Sequence, residues 1–244
     1  MTSATLRSAL PGVSDCERLA AGALAQPVNT YSSIAYVVVG VAVLGLARPP
    51  GRWRTPSSIL AACLVATGVG SVAYHGPQPA NAELMHDLPI VALLTLMAVH
   101  DAHLLRPRLP RPVATWTCLT LIVTGASVIA PVAASLAADL LVVVIVAAEI
   151  LIHRRRLRPR ARAAQRRWLA TMAVVLSVAG ASFALGRTGS PICDPDSLLQ
   201  PHALWHVASA VAFGVWWRLA LTADPLPDQA EGPGTRPHLD DADR

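Results

Sequence analysis

Charge is what this sequence has least of. Only 14% of its residues are Asp, Glu, Lys or Arg and 53% are hydrophobic, whereas an ordinary soluble domain is about 25% charged. That balance excludes a water-soluble enzyme and points to a chain that lives in a bilayer. Lysine is missing altogether, so all 20 basic residues are arginine; we read this as coding-sequence composition with no functional content. The net charge of +5 does not imply a nucleic-acid partner, because the arginines fall in short loops between apolar runs, where they report topology. A signal peptide is also lacking: the residues after Arg7 are interrupted by Pro11, Gly12, Asp15 and Glu17 where an apolar h-region would have to be. The first span is therefore expected to act as its own insertion signal.

What the sequence does contain is seven apolar runs, at about 30–47, 57–75, 87–105, 113–130, 132–152, 168–186 and 203–221. Each is close to the roughly 20 residues that cross a hydrocarbon core. The fourth and fifth are nearly fused; they are separated at Ala130-Pro131, because proline removes a backbone donor and crowds the preceding turn. The expected fold is an all-α bundle of seven transmembrane helices, with residues 1–222 as one domain and 223–244, rich in Pro, Gly and Asp, as a disordered tail. The loops after the first, third and fifth runs hold 14 arginines and those after the second, fourth and sixth hold 1, Arg187. By that asymmetry the N-terminus lies outside and the C-terminus is cytoplasmic. Trp116, Trp168, Trp205, Trp216 and Trp217 read as interface anchors.

With that topology the polar residues can be sorted by depth, and they gather at the outer ends of the helices. The second span ends in Ser71-Val-Ala-Tyr-His75, the third opens with His86-Asp87, and the seventh opens with His202-Ala-Leu-Trp-His206. Residues four apart share a helical face, so Ser71 stands above His75 and His202 above His206. Three imidazoles at one depth suit zinc, which takes nitrogen ligands and in catalytic sites keeps a position open for water. His75, His202 and His206 are the candidate ligands. The plainer reading, histidines lining helix ends, does not account for three at one level, where polar groups without partners are costly.

Asp87 is the candidate general base, since a metal can bring the pKa of a water toward about 7 and a nearby carboxylate can take its proton. The alternative is an aspartate at a helix N-terminus, stabilised by the macrodipole. Ser71 could donate to an oxyanion or simply allow close packing beside Gly68 and Gly70. His100, Asp101 and His103 end the third span at the opposite depth and read as an interfacial polar end. Asp139 lies near the outer start of the fifth span. Cys63 and Cys118 fall within spans as small buried hydrophobes; Cys16 and Cys193 fall outside, where they could pair or remain free thiols.

The order S-x-x-x-H at the end of the second span, Asp at the start of the third and H-x-x-x-H opening the seventh resembles the alkaline ceramidases. These belong to a wider group of seven-helix membrane hydrolases that includes the adiponectin and progestin receptors. Cys16-Glu17 followed by Gln26-Pro-Val-Asn29-Thr-Tyr-Ser32 is similar to the family's N-terminal pattern. The resemblance implies zinc at His75, His202 and His206, catalytic roles for Asp87 and Ser71, and a Cys16–Cys193 bridge. It also raises a calcium site, with Glu17 and Asn29 as its surviving members, but Gln26 stands where the family has Glu, and hard Ca²⁺ prefers carboxylates. The expected activity is zinc-dependent hydrolysis of the amide of a long-chain, ceramide-like lipid to fatty acid and amine. The expected place is a bacterial plasma membrane, with the site at the extracytoplasmic side. Two rivals remain at this point: a seven-helix receptor with structural zinc, and a transporter, which would place ionisable residues along a midplane pathway.

Overall fold

The computed structural model describes residues 11–46, 54–106, 111–130, 132–155 and 159–222. The tail 223–244, Pro131 and most of the arginine-bearing loops lie outside the described residues. The described helices are α1 (Pro27–Ser32), α2 (Ile34–Leu46), α3 (Arg54–His75), α4 (Ala82–Leu105), α5 (Pro112–Ile129), α6 (Val132–Arg155), α7 (Pro159–Leu185) and α8 (Pro201–Thr222). Proline opens α1, α5, α7 and α8, at the position where its missing N–H leaves no hydrogen bond unmade. Among the described residues there are seven segments long and apolar enough to cross a membrane, α1 and α2 together forming the first. The protein is an integral, multi-pass, all-helical membrane protein.

The third span begins earlier than its apolar run suggests. Its helix starts at Ala82, so the acidic residue of its first turn is Glu83, and Asp87 lies in the second turn, two residues before Pro89. Burial separates the helices into two classes. In α3 and α8, 56% of the spanning window is buried, against 6% in α5 and 11% in α7. Hence α3 and α8 are central, while α5, α6 and α7 present Leu121, Ile122, Val143 and Val174 outward, where lipid is the solvent. The core runs from Tyr36 and Val43 through Leu60, Leu64, Leu93 and Met97 to Trp216 and Trp217. Trp216 and Trp217 are thus core residues and not interface anchors: their rings pack inside the bundle, and Trp217 donates its indole N–H to Ser57 Oγ at 3.0 Å. Cys63 is buried as expected, but Cys118 is exposed, on a helix whose surface faces outward almost throughout.

Helix α3 packs against both α2 and α4, and α8 against both α2 and α7. Two glycines, Gly70 and Gly186, let other parts of the backbone approach closely at the same end of the bundle. A Cβ on Gly70 would overlap the Met85 carbonyl and press on the His86 Cα, so α3 and α4 touch at backbone level beside His86. Gly186, just past α7, leaves room for the His202 backbone, whose nitrogen would lie 2.7 Å from an added Cβ.

Candidate metal centre

The end of α3 and the start of α8 meet where these contacts bring them together. His75, His202 and His206 each offer a ligand atom, and these atoms lie within 4.8 Å of one another. All three side chains are buried. Among the described residues this is the group of three or more histidine, cysteine or acidic side chains that converges tightly enough to hold a metal ion.

Partners on the far side of two of the rings, His75 and His206, show which nitrogen faces the cluster. His75 Nδ1 is 2.6 Å from Gln26 Oε1, while its buried Nε2 has no hydrogen-bond partner. Ser32 Oγ gives its proton to the Asn29 carbonyl at 2.9 Å and lies 2.9 Å from His206 Nδ1. With the Ser32 proton on that carbonyl, His206 donates through Nδ1 and carries its lone pair on Nε2. His202 Nδ1 is buried and makes no hydrogen bond, although Asp15 Oδ1 lies 3.4 Å away. An orphaned ring nitrogen in a cluster that burial isolates from water is costly unless a ligand takes it. The residues present fit a metal.

Asp15 is the residue that spacing did not reveal. It is buried, 2.9 Å from Arg187 Nη1, 3.4 Å from His202 and 3.9 Å from His75. Burial pushes its carboxyl up to about 6, and the Arg187 guanidinium opposes the rise. The segment carrying it is fixed by a disulfide, Cys16–Cys193, by the Cys16 N–H donating to the Gly186 carbonyl at 2.7 Å, and by the Arg18–Asp196 ion pair at 2.7 Å.

The remaining expected residues fall into three places. Ser71 is fully buried behind the histidines, its hydroxyl 2.8 Å from Ser33 Oγ, which in turn is 3.4 Å from His206 Nδ1. Asp87 is 2.7 Å from His86 Nδ1, and both line a cavity of about 450 Å³ that His202 also lines, together with Asp15, Asp139 and Trp205. Glu17 and Asn29 meet each other differently: the Glu17 carboxylate accepts the Val28 and Asn29 backbone N–H groups at 2.7 and 2.8 Å, capping α1. Burial raises the Glu17 carboxyl, and those two N–H groups oppose it. The Asn29 side chain is buried and makes no hydrogen bond. His100 and His103 are far from this group and line a second, more apolar cavity with Trp216 and Trp217.

Residues 16–227 match the family model described as Ceramidase. The chain belongs to the ceramidase family. No curated protein matches it. The matched region runs from the disulfide cysteine Cys16 past the last histidine of the cluster, so it covers the three histidines, Ser71, Asp87, Glu17 and Asn29, with Asp15 lying just before it. Family membership makes the protein a hydrolase of lipid amides, and its three buried histidines could hold a metal ion.

Proposed function

We propose that the protein is a zinc-dependent amidase that cleaves the amide of a long-chain, ceramide-like lipid into a fatty acid and an amine. The observation that carries this reading is the convergence of three buried imidazoles whose ligand atoms lie within 4.8 Å of one another, one of them, His202, lining a cavity that also holds the Asp87–His86 pair. Three histidine ligands with a place left for water or substrate is the pattern of catalytic zinc. A zinc ion held by His75, His202 and His206 would supply Lewis-acid polarisation of the amide carbonyl and acidify a water molecule. Asp87 would accept the proton released and return it to the departing amine, His86 holding the carboxylate in place. Ser71 would keep Ser33, and through it the His206 ring, in orientation.

Substrate entry is consistent with the packing. Helix α6 packs on α4, and α7 packs on α8; the cavity lies between these pairs, walled by Ser135, Ala138 and Asp139 on one side and Phe183 on the other. An acyl lipid can reach such a cavity from the bilayer while keeping its chain among apolar helix faces. The disulfide suits an oxidising compartment and supports an extracytoplasmic site with the N-terminus outside, in the plasma membrane of a bacterium.

The test is Asp87→Asn, which keeps size but removes the proton acceptor. Zinc content should be unchanged, while fatty-acid release from long-chain N-acyl lipids falls by roughly 10² to 10⁴, the usual worth of positioned acid-base catalysis. An unchanged rate would remove Asp87 from the mechanism.

A further inference from the structure

Gln26 carries the inference. It is 0% exposed, and every hydrogen-bonding atom of its side chain is committed. Its Nε2 donates to two carbonyls, Gly12 O at 2.9 Å and Glu17 O at 2.8 Å. Those two acceptors settle which end of the amide is which, since an oxygen facing two carbonyl oxygens would be repelled. Oε1 must then be the atom 2.6 Å from His75 Nδ1, and an amide oxygen only accepts. His75 is therefore obliged to carry its proton on Nδ1 and to present Nε2 as a lone pair. That nitrogen is one of two in the histidine cluster without a hydrogen-bond partner, the other being His202 Nδ1. The backbone repeats the tie, because the Gln26 N–H donates to the His75 carbonyl at 2.8 Å.

We infer that Gln26 is a positioning residue for the metal centre, locking His75 in its metal-binding tautomer and coupling that ring to the disulfide-held N-terminal segment. The inference rests on the metal reading above. A histidine ligand whose other nitrogen donates to a fixed acceptor is better oriented and more basic, and removing such a partner typically costs about 10- to 100-fold in metal affinity. Gln26 also braces residues 12 and 17, so a purely structural role has to be separated from positioning. Two substitutions do this. Gln26→Met removes both the acceptor for His75 and the two donations. Gln26→Glu removes the donations but keeps an acceptor toward His75.

The experiment uses the full chain, purified with its disulfide intact, stripped of metal and titrated with zinc against a chromophoric chelator. Both variants should lose thermal stability. Gln26→Met should bind zinc about 10- to 100-fold more weakly, whereas Gln26→Glu should match or exceed the wild type. Equal losses of affinity in the two variants, or a Gln26→Met protein that binds zinc as the wild type does, would overturn the inference. Nitrogen-15 histidine spectra of the zinc-free wild type give a check that needs no variant: the His75 proton belongs on Nδ1, and finding it on Nε2 would overturn the inference equally. A wild type that binds no zinc removes the metal reading and this inference together, while the other contrary outcomes remove this inference alone.

Discussion

Replacing Gly70 by alanine should damage the site without touching any of its functional groups. An added Cβ would overlap the Met85 carbonyl and lie 3.1 Å from the His86 Cα. The obstacle is backbone, so no side chain can rotate away, and α4 must retreat from α3 by on the order of an ångström. Overpacking of this kind costs about 1–3 kcal/mol. The larger consequence is geometric, because His75 belongs to α3 whereas His86 and Asp87 belong to α4. A displacement of about 1 Å between reacting groups costs on the order of 10²-fold in rate. Zinc retention should be little changed, since none of the three proposed ligands lies on α4. The assay pairs thermal unfolding in detergent with fatty-acid release from a long-chain N-acyl lipid. Gly125→Ala and Gly180→Ala serve as controls, since nothing lies within 4 Å of a Cβ at either position, and alanine is the better helix former there by about 1 kcal/mol. If Gly70→Ala behaves like the two controls in both stability and rate, the close α3–α4 contact does not set the site's geometry.

Two further outcomes follow from the same geometry. Cys16→Ser frees the segment carrying Asp15 and should lower stability by about 2–4 kcal/mol, with reductant destabilising the wild type but not the variant; equal melting of both in non-reducing buffer would contradict a stabilising bridge. A topology reporter fused after Thr222 should be active only in the cytoplasm and one inserted within 76–81 only outside, and the reverse labelling would overturn the proposed orientation.

The parts legible in the sequence were those set by local periodicity and by depth. Seven apolar runs match seven spanning helices, because the bilayer fixes both length and composition. The three histidines could be placed together because i, i+4 spacing puts His202 and His206 on one face and the topology puts His75 at the same end. The Cys16–Cys193 pairing came from the family resemblance and is present. What spacing could not show is the layer behind the rings. Asp15 and Gln26 come from a segment with little regular structure and Ser32 from the short helix α1 that follows it, and their contacts to His202, His75 and His206 cross sequence separations such as 174 residues for Ser32 and His206. Asp15 lies next to a bridged cysteine, and Gln26 and Ser32 lie in the polar stretch that opens the first span, where buried polar side chains need partners. The start of α4 was misplaced for a related reason. Ala82 to His86 are too polar to extend an apolar run, yet they continue the helix because they face the cavity and the neighbouring α3.

The measurement that bears most directly on the central claim is fatty-acid release as a function of bound zinc. Purified protein should carry about one zinc per chain, the number that three histidine ligands can hold, and a chelator should abolish hydrolysis of a long-chain N-acyl lipid in proportion to the zinc removed. Zinc added back should restore it. His206→Ala should lose both zinc and activity, while His103→Ala, at the second cavity, should keep both. Full hydrolysis by zinc-free protein, or a zinc-loaded wild type that releases no fatty acid from any long-chain N-acyl lipid, would contradict the account.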